Sequence, residues 1–364
     1  MAQATAKRRV IEWKNMKKLK TIMNTKSFIA TTGNGLARAT QDANGVWANS
    51  DWDVEFHLED LDVRCLAADP LGVVYAGTQG DGVLRSDDRG KTWQAAGLAG
   101  VIVKSLASSP IERGTIYAGT KPARIYVSRD SGAHWSELDS FRRIGSRWMW
   151  VSPAEPPFFT AYVQGIALSP TDSKVIVAGI EAGAVVRSED GGVTWSDHCS
   201  GALRDCHTLT FHPKNGNWVY EAGGSGAGAA VSRDGGKTWK QPRDGLDRHY
   251  GWACAVDPSQ PEVWYLSASP GFSFAKFAPL AHVDGQANAY IFRSAGGAPW
   301  QRLSGGLPQP LDYMAYALLT DPAAPGHLYT GLSNGDVWHS EDHGDTWGML
   351  PFNLKGIHRA MIMV

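Results

Sequence analysis

One octet, Ser86-Asp87-Asp88-Arg89-Gly90-Lys91-Thr92-Trp93, constrains this chain more than any other stretch because it keeps returning. The pattern Ser-x-Asp-x-Gly-x-Thr-Trp recurs at Ser128–Trp135, with His134 in the Thr position, and at Ser188–Trp195, Ser232–Trp239 and Ser340–Trp347. Two degenerate copies, Thr40–Trp47 and Ser294–Trp300, bring the number to seven. Self-similarity at a long, steady period is the mark of a repeat architecture. Within each octet the Ser and Asp side chains can bond nearby backbone N–H groups and the Gly supplies a positive φ, so the octet reads as a tight turn. The closing Thr-Trp opens the next strand and offers an indole to bury between sheets. An Asp and a Trp side by side also suit sugar chemistry, but seven copies of one octet point to scaffold.

The Trp landmarks at 47, 93, 135, 195, 239, 300 and 347 are spaced by 46, 42, 60, 44, 61 and 47 residues. The base unit is therefore about 45 residues, and two units carry roughly 15 more. In the second copy, Val63–Pro70 reads as a strand ended by a Pro turn, and Val73–Gly77, Gly82–Ser86 and Thr92–Ala95 as three further strands. Short runs of Val, Leu and Tyr punctuated by Gly and Pro are β-signals, and four antiparallel strands per unit is the size of a propeller blade. The first copy starts at Phe28 on a second-strand pattern, while the chain ends on the apolar run Ile357–Met363 with no octet after it. Placing that run as the missing strand closes the ring and removes two open edges. The expectation is an all-β, seven-bladed β-propeller over 27–364, closed by its C-terminal strand, behind a flexible basic tail at 1–26.

Charge narrows the partners. Residues 1–26 carry +7, and the net −1 of the whole chain leaves −8 on the rest, so the propeller itself is not expected to bind nucleic acid. The basic leader lacks the apolar h-region of a signal peptide, and no apolar run is long enough to span a membrane. Cys65, Cys199, Cys206 and Cys254 show no Cys-x-x-Cys spacing. Cys199 and Cys206 could pair in an oxidising compartment; without an export signal, reduced thiols in the cytoplasm are expected.

With these octets, the chain resembles the Asp-box (BNR), sialidase-like repeat propellers over residues 28–364. Its rhythm is similar to the xyloglucanase family of glycoside hydrolases and to the photosystem II assembly-factor propellers. The resemblance implies the fold and is weak for activity, since one fold hosts many functions. Sialidases carry an Arg-Ile-Pro motif that is absent here. Xyloglucanases clasp their substrate between two propellers and use an Asp in a D-x-G-G-type segment of the first blade, whereas Thr31–Ala37 holds no Asp. No catalytic residue can be carried over from either.

Candidate sites follow from topology. Loops after strands two and four of a meander leave on one face, and the octets, which follow strand three, occupy the other. Both long insertions, 137–162 and 268–290, belong to the first face, where long loops on a rigid ring carry function. The first insert offers Trp148, Trp150, Arg142 and Arg143 among other aromatics, and the second Phe272, Phe274, Phe277, His282 and Tyr290. Exposed rings stack on sugars or apolar ligands and Arg anchors carboxylates, although the same rings could fold into small local cores. Counting six residues back from each strand-ending Pro gives Arg64, Lys104, Gln164, His207, Trp252 and Tyr316, with Arg359 completing the ring. This largely polar or cationic set suggests a funnel for a carboxylate or phosphate ligand, or a water-filled lining neutralised by loop acids. For glycoside hydrolysis two carboxylates are needed, and Glu181 with Asp62 or Glu55 is the weak candidate set. His57, His207, His249 and His358 could converge at the mouth, but without His-x-His spacing no metal is expected. A nucleophile elbow, a P-loop and a Rossmann fingerprint are missing, so no cofactor is expected either.

Two functional classes stay open from sequence. One is a sialidase- or glycosyl-hydrolase-like propeller that binds, and could hydrolyse, a carbohydrate or small anionic ligand at the channel mouth and insert-bearing face. The other is a non-enzymatic platform that recognises an acidic or apolar protein segment.

Overall fold

Each first strand touches the first strand of the next blade, and Met361–Met363 touches both Ala315–Thr320 and Val63–Ala68, which closes a ring of seven. The computed structural model describes residues 26–41, 52–273, 275 and 278–364. The tail through residue 25, the first octet from residue 42 onward, and Phe274 and Phe277 lie outside the described residues. Blade one is assembled from both ends of the described chain. Ser27–Thr31 pairs with Leu36–Gln41 on one side and with Met361–Met363 on the other. The seam is sealed by reciprocal bonds between Ser27 and Val364, each 3.0 Å. The structure thus agrees with the expected closure, although the closing strand begins four residues after the predicted start at Ile357.

The octets fold as their chemistry requires. In the second blade Ser86 Oγ donates to Asp88 Oδ1 at 2.8 Å and accepts from Gly90 N at 2.7 Å. Asp88 also accepts from the Thr92 backbone and hydroxyl at 2.8 and 2.7 Å. The same Ser–Asp and Gly–Ser bonds recur at 128, 188, 232 and 340. Where His134 replaces Thr, its Nδ1 takes over the contact to Asp130 at 2.6 Å. Two indoles staple neighbouring blades, Trp135 Nε1 donating to Ala96 O and Trp300 Nε1 to Pro242 O, whereas those of Trp93, Trp239 and Trp347 bond the Gly carbonyl of their own octet. Glycines in the second strands set blade spacing, because a Cβ on Gly77 would meet Cys65 Sγ at 2.5 Å and Val103 Cγ1 at 2.6 Å.

Blades four and five depart from the four-stranded expectation, with three paired strands each. In blade five the fourth strand shrinks to a single bridge between Val231 and Lys240, and Pro242, which has no N–H, follows two residues later. In blade four the Ser196 hydroxyl, 2.9 Å from Arg187 N, stands in for the outer ladder. All four cysteines are free and buried. No helix among the described residues is long and apolar enough to cross a membrane.

Candidate functional site

The first strands share a second device. In six blades the ladder between strands one and two slips near its start, and the skipped residues are Arg64, Lys104, Gln164, His207, Trp252 with Ala253, and Tyr316; blade five slips a second time between Phe211 and His212. A bulge leaves a residue unpaired and re-aims its side chain. Arg359 is set out in the same way, between the bonds that Thr31 makes to His358 and Ala360. The residues counted back from the prolines are thus the bulged ones. Gln164, His207, Trp252, Tyr316 and Arg359 line one cavity of about 1030 Å³ at the channel mouth. Both inserts contribute to its wall, the first through Glu155 and Tyr162 and the second through Phe272 and His282.

Arg64 and Lys104 do not offer their charge to this cavity, because the first insert reaches in and takes it. Glu155 Oε2 sits 2.6 Å from Arg64 Nη1 and 3.4 Å from Arg359 Nη2, while Oε1 contacts Lys104 Nζ. Arg64 also pairs with Asp62, and the Glu155 carbonyl accepts from Lys121 Nζ. Burial works against ionised Glu155, but Lys104, Arg359 and Arg64 outweigh it and hold the carboxyl down to about 2. Lys104, its side chain 1% exposed, is pulled down to about 8 by burial and by Arg359 despite its partner. The cationic funnel read from sequence is therefore largely engaged internally. Glu155 lies in a Pro-rich loop outside the repeat and carried no sequence signal of this role.

Across the cavity stands an acidic and aromatic wall. Glu181 follows the second strand of blade four, where its N–H bonds the Tyr162 carbonyl at 3.1 Å; Gln79, Gly224 and Ser333 make the matching bond in other blades. Its carboxyl partner is Asp205, which precedes the first strand of blade five, in place of Asp62 or Glu55. Suitable oxygens of the two and His207 Nε2 all lie within 4.8 Å of one another. Burial, then Asp205 beside it, raises Glu181 well above the usual carboxylate range. Burial pushes the pKa of His207 below the usual imidazole range, against the opposing pull of Asp205. Its ring packs 4.6 Å from Trp252, which lies 5.0 Å from Tyr316. His282 from the second insert spans two phenols, with Nε2 2.9 Å from Tyr250 Oη and Nδ1 2.7 Å from Tyr316 Oη. The cavity walls, with His207, Arg359 and His358 nearby, hold its pKa down to about 4.

The other predicted residues are placed elsewhere. Glu55 is on the outermost strand of blade one, paired with Arg38 at 2.7 Å and outside the cavity lining. Trp150 is 5% exposed and packs on Phe141, which also meets Trp195, so it is a core ring and not a binding platform. Trp148 is 81% exposed. Arg142 is tied to Glu137 and Asp139, and Arg143 is exposed. Trp252, at 9% exposure, contributes to the lining from a largely buried position. Of the four histidines expected at the mouth, His207 and His358 line the cavity and His57 and His249 do not.

Comparison with known proteins gives the same architecture. The BNR/Asp-box repeat model matches residues 230–241, which span the fourth intact octet. An oligoxyloglucan-reducing end-specific xyloglucanase of Emericella nidulans is 25% identical over 210 residues, covering 52% of this chain and 24% of that protein. The chain thus spans about a quarter of that relative's length. A GH74 enzyme structure from Niastella koreensis superposes with a TM-score of 0.60 at 17% identity, over 79% of this chain and 45% of that one. YCF48 bound to D1 peptide gives a TM-score of 0.54 at 13% identity, over 90% and 85%. At these identities the structural likeness speaks for the fold.

Proposed function

From the premise that this chain is an Asp-box repeat propeller, we propose that it binds a neutral oligosaccharide at the mouth of its channel. One observation carries the reading: a single cavity sets the paired carboxyls of Glu181 and Asp205 against an aromatic wall of Phe272, Tyr250 and Tyr316 backed by Trp252. Rings stack on the apolar faces of sugars, and carboxyls bond their hydroxyls. An anionic ligand is disfavoured, because Glu155 already engages Arg64, Lys104 and Arg359. The similarity to a xyloglucanase makes xyloglucan oligosaccharides the first probe. Hydrolysis is the extension of this reading. Glu181 and Asp205, within 4.8 Å, are closer than the roughly 5–9.5 Å by which paired carboxyls straddle a glycosidic bond, so the geometry favours binding.

Calorimetric titration of the full chain with xyloglucan and cello-oligosaccharides tests the proposal. Saturable binding is expected, weakened about tenfold, or ~1.4 kcal/mol, in Phe272→Ala. Heat-silent titrations across neutral glycans would overturn it. Release of reducing ends that disappears in Asp205→Asn would extend it to hydrolysis.

A second reading has its own observation. Trp148, Met149, Val151, Phe158 and Phe159 of the first insert are exposed, between 45% and 81%. A cluster of exposed apolar side chains suits a protein segment, and the YCF48 structure holds a peptide. Peptide capture lost in the double variant Trp148→Ala/Phe159→Ala, with oligosaccharide binding intact, would establish this face as a separate platform.

A further inference from the structure

The corner between blades four and five has an unanswered electrostatic arrangement. His207 Nδ1 lies 2.7 Å from the Gly251 carbonyl oxygen. A carbonyl only accepts, so Nδ1 carries the proton and donates, and in the neutral ring Nε2 presents a lone pair. The side chain is 3% exposed, and among the described residues no hydrogen bond reaches Nε2. That lone pair faces Glu181 Oε2 at 3.8 Å and Asp205 Oδ1 at 3.7 Å. Asp205 Oδ1 is itself buried without a hydrogen-bond partner. A proton shared by the two carboxyls relieves their mutual repulsion but leaves the imidazole nitrogen unanswered.

We propose that Glu181, Asp205 and His207 form a binding site for a divalent transition-metal cation of the zinc class. The donor set selects the ion: one imidazole nitrogen with two carboxylates suits Zn²⁺ or its near neighbours, whereas Ca²⁺ and Mg²⁺ take oxygen donors. With His207 Nε2 3.8 Å and 3.7 Å from the two carboxylate oxygens, small side-chain adjustments bring the three donors to the usual ~2.0–2.2 Å bonds around one ion. The bond from Nδ1 to a backbone carbonyl is the outer support that fixes the tautomer of a metal-binding histidine. Room is reserved by Gly224, where a Cβ would come 2.1 Å from Asp205 Oδ2 and 3.0 Å from His207 Cε1. Three protein donors leave the remaining coordination open toward the cavity. Asp205 and His207 stand two residues apart, but Glu181 comes from the preceding blade, so sequence spacing could not show the whole set.

The test uses the full chain, stripped of metal and titrated with ZnCl₂ in the absence of sugar, so its result is independent of the oligosaccharide reading. One ion per chain is expected, with affinity at least tenfold weaker in Glu181→Gln and in Asp205→Asn. Both variants are near-isosteric, and circular dichroism and thermal melting check that they fold. Co²⁺ in place of Zn²⁺ gives a visible absorption band that the same substitutions abolish. Absence of saturable binding would overturn the proposal. So would a site indifferent to both substitutions but lost in His327→Gln, which would place the ion at the His327, His339 and Glu341 cluster on blade seven.

Discussion

Arg64 Nη1 meets Glu155 Oε2 at 2.6 Å, joining a bulged channel residue to an insert 91 positions away. The same carboxylate serves Lys104 and Arg359, so one loop residue clamps bulged positions from three blades. The contact engages three cations at the channel, and it pins the first insert over it.

Glu155→Gln should therefore destabilise the fold by about 3–5 kcal/mol, because it takes the carboxylate from Lys104, whose side chain is 1% exposed, and leaves Arg64 with Asp62 alone. Urea unfolding measures the loss. The same variant should bind phosphate or acetate more tightly than the parent chain, as read by isothermal titration.

Acid should unfold the propeller through specific carboxylates. Glu155 sits at about 2, as do Asp130, held there by its bonds from the His134 backbone and ring, and Asp190, held by Thr194. A carboxyl lowered by folding contributes stability above its unfolded pKa, near 4, and loses it as pH falls through the folded value. The share of the urea midpoint that these carboxylates supply should be complete above about pH 4.5 and be lost steeply toward pH 2, and Glu155→Gln should flatten part of that slope.

Glu221 predicts an opposite trend at higher pH. Buried in blade five with Oε1 unpartnered, it is raised to about 8 by burial, against a backbone bond from Leu203. The folded chain keeps this proton after the unfolded chain has released it, so stability falls as pH rises from about 4.5 to about 8. Glu221→Gln should remove that share of the decline in melting temperature between pH 5 and 8.

Trp148 and Trp150 make a matched pair of substitutions. Trp150→Ala opens a cavity beside Phe141 and should cost about 3–5 kcal/mol. Trp148→Ala, at an 81% exposed position, should stay within about 0.5 kcal/mol by the same urea titration.

Removing residues 360–364 should open the ring. The deletion takes away the strand paired with Phe28–Ala30 and the reciprocal bonds of Ser27 and Val364, leaving an unpaired edge. A lowered melting temperature and concentration-dependent association by light scattering are expected. Unchanged melting would show that closure adds little.

The sequence determined by itself whatever repeats. Octet spacing fixed the blade count, the octet's Ser, Asp, Gly and Trp prescribed bonds that the structure reproduces, and a Pro six residues downstream marked each bulged residue in six blades. These are local relations, settled within one unit by hydrogen bonding and the pleat. Tertiary structure decided what the ring brings together. Glu155 reaches Arg64, Lys104 and Arg359, Asp205 rather than Asp62 becomes the neighbour of Glu181, and Trp150 turns into the core while Trp148 turns out. Those outcomes depend on which residues from different blades and inserts arrive at one point of low dielectric, and there burial, charge and available partners act across the ring without leaving a period in the chain.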